Sequence, residues 1–104
     1  MEMSLAELHG WLFGDFILCQ CGQPELVISK LKELLQQVEN YERQTTPIPS
    51  CNTADEYLWM YLLDHFNLTE HGGSIGASWL TGTGSRILTA LNKYSCEDIV
   101  GYIG

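Results

Sequence analysis

Basic residues are scarce in this chain: five Lys and Arg stand against 13 Asp and Glu in 104 residues, a formal net charge of −8. Nucleic-acid affinity needs Lys and Arg to displace counterions from the phosphate backbone, so direct binding of DNA or RNA is not expected. Long apolar runs are lacking as well. No stretch approaches the roughly 18 residues of a membrane span, and residues 5–18 are interrupted by Glu7, His9, Gly10, Gly14 and Asp15. No basic segment opens the chain in the manner of a secretory signal. The expected location is cytoplasmic, away from membranes, where thiols stay reduced. The sequon Asn67-Leu68-Thr69 then carries no meaning.

Spacings that announce chemistry are also missing. Cys19 and Cys21 form C-x-C, with Cys51 and Cys96 far away. Zinc sites use paired C-x₂-C units, so no metal is expected and the thiols read as small hydrophobes. Asp64, His65, Glu70 and His71 lie near Ser74 and Ser78. A nucleophilic triad needs such residue types, yet there is no nucleophile elbow, and His65 reads as a helix-face residue and His71 as a turn residue. Gly72-Gly73-Ser74-Ile75-Gly76 and Gly82-Thr83-Gly84-Ser85 are rich in glycine, and Arg86 follows the second. Neither has the Walker or dinucleotide spacing of a phosphate-binding loop, so both read as turns. No enzymatic activity and no cofactor are expected.

What is present fits one globular domain over residues 1–104. The chain is 45% hydrophobic and carries three Trp, three Phe and five Tyr, a good supply of area for a small core. Ser4 and Glu7 have capping-box spacing, and Leu5, Leu8, Trp11, Leu12 and Phe16 recur at helical spacing, which predicts a helix over 5–18. Gly10 and Gly14, four apart, suggest a close approach by another helix. Gly22 and Pro24 mark a stop and a restart. A second helix over 24–43 turns Leu26, Val27, Leu31, Leu34, Leu35, Val38 and Tyr41 inward. Gln44 to Ser50, with Pro47 and Pro49, reads as a loop. Thr53 and Glu56 again have capping-box spacing and open a third helix over 54–67. It is apolar around more than half its circumference, through Tyr57, Leu58, Met60, Tyr61, Leu62, Leu63 and Phe66, and reads as the central helix of the core. A small hairpin follows, with strand character between Ser74 and Thr81. A fourth helix over 84–94 turns Ile87, Leu88 and Leu91 inward. Ser95 and Asp98 cap a last short helix. The expected fold is mainly α, four to five helices with a small β-hairpin.

The stretch Leu62-Leu63-Asp64-His65-Phe66-Asn67-Leu68-Thr69-Glu70-His71-Gly72 resembles the end of a helix that leads into the first wing strand of a winged-helix domain. Trp79-Leu80-Thr81-Gly82-Thr83-Gly84, followed by Ile87, Leu88 and Leu91, is similar to the "LT-x-x-G-x-x-L-L" junction of MarR- and PadR-like proteins, where a wing strand passes into the closing helix. The resemblance covers residues 62–91 and implies a winged-helix-like fold. A DNA-reading member presents basic and polar side chains on its recognition helix and wing. The matching helix here carries Asp55, Glu56 and Asp64, and no Lys or Arg stands between Phe66 and Thr83. The family's DNA binding is therefore not carried over.

The remaining candidates are acidic and aromatic. Trp11 and Trp79 fit core positions. Trp59 is the candidate for a partly exposed aromatic, and Asp55 and Glu56 one turn earlier give it an acidic rim. The expected partner-binding residues are Asp55, Glu56, Trp59, Asp64 and Glu70. The expected function is a small acidic, non-catalytic protein-binding module for a basic, nucleic-acid-handling protein partner, an accessory or inhibitory factor acting by nucleic-acid mimicry. Its likeness to small phage- or mobile-element-encoded factors is analogy alone. A homodimer is among the assemblies this reading admits. The alternative is a winged-helix-like transcriptional regulator with weak or lost DNA contact.

Overall fold

A computed structural model describes residues 2–16, 21–43, 53–72 and 78–103, with the backbone alone at 41–43. Its helices are α1 (Leu5–Gly10, continued by a π segment Trp11–Asp15), α2 (Pro24–Arg43), α3 (Ala54–His65), α4 (Gly82–Lys93) and α5 (Cys96–Val100), with strands β1 (Thr69–His71) and β2 (Ser78–Leu80) between α3 and α4. The protein is thus mainly α with a two-stranded antiparallel hairpin. It divides into two compact units, Met1–Lys32 with Arg86–Gly104, and Glu33–Ser85, and the division falls within α2 and within α4.

The first unit begins with the expected capping box. The Glu7 N–H donates to the Ser4 hydroxyl at 3.1 Å, and the Ser4 N–H donates to Glu7 Oε1 at 3.0 Å. Both bonds satisfy helix-end donors that have no partner in the helix itself. The Ser4 N–H most, and then the Ser4 hydroxyl, hold the Glu7 carboxyl below the ordinary value of 4.5, with Arg86 adding a smaller pull. From Trp11 the helix widens. The Phe16 N–H reaches the Trp11 carbonyl at 2.8 Å, five residues back, and the two rings stack at 5.1 Å between centroids. A π turn brings residues five apart to one side, which simple helical spacing does not foresee. Among the described residues nothing lies within 4 Å of a Cβ placed at Gly10 or Gly14, so no described helix makes the expected close approach there. Leu8, Leu12, Phe16, Ile28, Leu31, Ile87, Leu88, Leu91 and Ile99 are buried. The buried stripe of α2 thus starts at Ile28, which was not expected on it, and Leu26, expected to turn inward, is 63% exposed.

The second unit holds the rest of α2, then α3, the hairpin and the first residues of α4. Leu34, Leu35, Val38, Met60, Leu63 and Leu68 are its buried apolar side chains among the described residues. Thr69 pairs with Leu80, Glu70 with Trp79, and His71 with Ser78. Strand alternation buries Thr69 and Ser78 and turns Glu70 and Trp79 outward. Trp79 is 43% exposed, so it is no core residue, and β1 begins before the stretch expected to hold strands. Thr81 caps α4. Its hydroxyl accepts from the Gly84 N–H at 3.0 Å and donates to the Asn67 carbonyl, while its own N–H donates to the Leu68 carbonyl at 3.1 Å. The expected loop at 44–50, residues 17 and 18 of the expected first helix, and residues 74–77 of the expected strand region lie outside the described residues.

Candidate functional site

The candidate site is built on α3. Thr53 starts the helix: its hydroxyl accepts from the Glu56 N–H at 3.3 Å and donates to Glu56 Oε1 at 2.9 Å. The carboxylate thus returns to the cap's hydroxyl. The helix carries apolar side chains on nearly all sides. A helix of that kind normally lies in a core, yet among its residues only Met60 and Leu63 are buried. Leu58 is 67% exposed, and Tyr57 and Tyr61 stand out beside it. The expectation that α3 is the central core helix is therefore corrected: Met60 and Leu63 pack inward, Trp59 and Leu62 are half-buried, and Tyr57, Leu58 and Tyr61 are exposed.

The outward side has a definite shape. Tyr57 and Tyr61, one turn apart, meet edge to face at 5.1 Å between centroids, with their hydroxyls 3.1 Å apart. On the other flank of Leu58 an open groove of about 390 Å³ is lined by Asp55, Leu58, Trp59 and Leu62. Those four positions have the i, i+3, i+4, i+7 spacing of one helix stripe. Trp59 is half-buried in it and Asp55 is exposed at its rim.

The residues expected to bind a partner do not form one cluster. Asp55 and Trp59 share the groove. Glu56, the next residue round the helix, is half-buried and bonded to Thr53. Asp64 is about two and a half turns beyond Asp55, hence on the opposite side of α3, where its Oδ1 meets His71 Nδ1 at 3.2 Å. His71 therefore sits in a strand, paired to α3, and not in a turn. Glu70 is on the hairpin opposite Trp79. The groove's Leu58 and Leu62, and the neighbouring Tyr57 and Tyr61, are the residues that sequence reasoning missed. A helix without a polar face gives no periodic signal of which side is bare.

Charge is divided unevenly. Residues 33–85 hold seven acids and one base, whereas the other unit holds six acids and four bases. Halving the sequence at residue 43 shows an even spread; the folded division places most of the negative excess in the unit that carries α3.

Other chemistry finds less support in the geometry. Ser78 is opposite His71 in register, but it is 1% exposed, so its hydroxyl is closed to a substrate. At the start of α4 the N–H groups of Gly84 and Ser85 are already taken by the Thr81 hydroxyl and carbonyl, and Arg86 pairs with Glu7 at 4.0 Å. That leaves few donors for an anion. Cys21 and Cys96 are free thiols. Burial raises Cys96 above the ordinary 9.0, and the carboxylates of Glu25 and Glu97 add to this. Among the described residues no group of three or more His, Cys, Asp or Glu is placed to hold a metal ion. Cys19 and Cys51 lie outside them. What the arrangement of α3 offers is a contact surface: rigid aromatic and aliphatic side chains with a carboxylate at the edge. Comparison of the chain with protein-family models, with curated proteins and with solved structures finds no match.

Proposed function

We propose that the chain is a non-catalytic protein-binding module that engages a basic, nucleic-acid-handling protein through the outward side of α3. The observation that carries this reading is a helix apolar on nearly all sides that buries only Met60 and Leu63 among its own residues. Exposed apolar residues gathered in one place mark interaction sites, and Trp and Tyr are enriched among residues that anchor interfaces. The excess of acids in residues 33–85 favours a positively charged partner and speeds its encounter. In the sharper form of the reading, that unit competes with nucleic acid for a basic groove and so inhibits its partner. The proposed setting is the cytoplasm; among the described residues no helix is long and apolar enough to cross a membrane.

Affinity capture from a lysate with the tagged protein, beside Asp55→Lys, tests the reading when the captured proteins are identified and challenged with competing DNA. Asp55 is the choice because Glu56 also helps to cap α3, so its reversal would disturb the helix. Recovery of a nucleic-acid-binding protein by the wild type, its loss in Asp55→Lys and its displacement by DNA are expected. Capture that ignores salt and DNA would contradict the mimicry.

A second reading, a winged-helix-like regulator with weak DNA contact, is favoured by the order α3, β1, β2, α4 in the segment that resembles that family. A gel-shift experiment at low salt separates the two: a sequence-preferring DNA complex would support the regulator.

A further inference from the structure

Resting on the reading of the chain as a protein-binding module, we infer that the groove of α3 takes a basic amphipathic helix. A large apolar side chain of that helix enters between Leu58, Trp59 and Leu62, and a Lys or Arg beside it pairs with Asp55. The four lining positions form one stripe of α3, the kind of face on which a second helix packs, and the incoming helix would supply apolar anchors at i, i+3, i+4 and i+7. The groove is open rather than enclosed. Small ligands need most of their surface buried in a concave site, whereas a helix laid across α3 gains from Tyr57, Leu58 and Tyr61 as well as from the groove floor.

Charge selects the occupant. A second copy of the chain would bring together two units that each hold seven acids and one base, and like charges facing one another weaken an interface. Nucleic acid is disfavoured by the net negative charge of that unit as a whole. A helix with Lys and Arg flanking an apolar stripe meets both features: its stripe covers Leu58 and its cations face the acidic unit.

The test uses the full chain and labelled synthetic peptides of about 18 residues, long enough to hold some helix in water. One peptide repeats Leu at i, i+3, i+4 and i+7 with Lys and Arg elsewhere. A second replaces the cations by Glu, and a third has the first composition in scrambled order. Fluorescence anisotropy is expected to show binding of the first peptide only, weakening as salt is raised. Leu58→Ser should weaken it about tenfold or more, in the range of interface anchors, and Asp55→Asn, at the rim, should weaken it less and make it less sensitive to salt. Leu26→Ser, an exposed leucine in the other unit, should not change it, and circular dichroism should show all three variants folded. Binding by wild type that survives Leu58→Ser would overturn the assignment to α3 and leave the module reading intact. Equal binding of the Glu and Lys/Arg peptides would overturn the charge selection. A dimer in sedimentation that Leu58→Ser dissociates would name a second copy as the occupant instead. No binding by any peptide would overturn the inference, while partner capture would still decide the module reading on its own.

Discussion

The Leu68 carbonyl lies against the backbone of Gly84, so near that a Cβ at position 84 would overlap its oxygen and carbon. The same carbonyl accepts the Thr81 N–H. The end of the α3 turn and the start of α4 are thus locked together where no side chain fits. The glycine in the segment that resembles a winged-helix junction has this steric duty here, independent of any DNA contact.

Two glycines of α4 should therefore respond in opposite directions. Replacing Gly by Ala inside a helix gains up to about 1 kcal/mol from propensity. At Gly84 that gain is outweighed by overpacking, which costs typically 1–3 kcal/mol, because the obstacle is backbone and cannot swing aside. Gly82 has open space around it. Thermal denaturation should show Gly84→Ala lower than wild type by several degrees and Gly82→Ala equal or higher, at roughly 4–8 °C per kcal/mol for a chain of this size.

Thr81 joins the same lock through its hydroxyl, which serves both Gly84 and Asn67. Loss of an N-cap costs about 1 kcal/mol, up to 2. Thr81→Ala should lose about that much or more in urea unfolding, and Thr81→Ser should restore most of it. Equal losses in both variants would mean that the methyl group, not the hydroxyl, matters.

Thr69 presents the reverse case. It is buried in β1, and its hydroxyl has no hydrogen-bond partner among the described residues. A buried polar group without a partner costs about 1–3 kcal/mol, and Val has the same shape with better strand propensity. Thr69→Val should raise the urea midpoint. A fall would show that the hydroxyl is bonded in solution.

The capping box at Ser4 makes a pH prediction. Glu7 has its pKa lowered in the folded protein, chiefly by the Ser4 N–H and hydroxyl. A carboxylate with a depressed folded pKa contributes stability that is full above its unfolded value and is lost as pH falls through the folded one. NMR titration should place Glu7 below the ordinary 4.5, and Ser4→Ala, which keeps the backbone N–H and removes the hydroxyl, should move it only part of the way back. In Glu7→Gln the acid-side loss of stability should be shallower than in the wild type.

Much of the fold is legible in the sequence for identifiable reasons. Pro24 and the long apolar stripe define α2, whose ends coincide with expectation at 24 and 43. Ser4, Thr53 and Ser95 each start a helix as their side chains require. Ile87, Leu88 and Leu91 are buried as their spacing implies. The departures are also physical. The π segment follows from a backbone bond between Trp11 and Phe16 that leaves no trace in helical periodicity. Trp79 is turned outward by strand alternation opposite Glu70, and a Trp by itself does not say which face it takes. On α3, apolar residues all round supply no contrast between inside and outside, so Tyr57, Leu58 and Tyr61 read as core although they are exposed.

The candidate site was partly legible for the same reason. Asp55 and Trp59, four apart, share a face by helical geometry alone. Asp64 and Glu70 are near them in sequence but not in space, because the one is carried to the other side of α3 and the other sits on the hairpin. The unequal charge of the two units depends on the return of the chain at residue 86, which no linear count reveals.

The claim that α3 is the binding face is tested most directly by amide and indole NMR of the labelled full chain during addition of the basic amphipathic peptide. The account predicts that the Trp59 indole and the amides of Asp55, Leu58 and Leu62 shift together and saturably, while the Trp11 indole and the amides of α5 stay in place. Shifts confined to Trp11 and α5, with Trp59 unmoved, would contradict it.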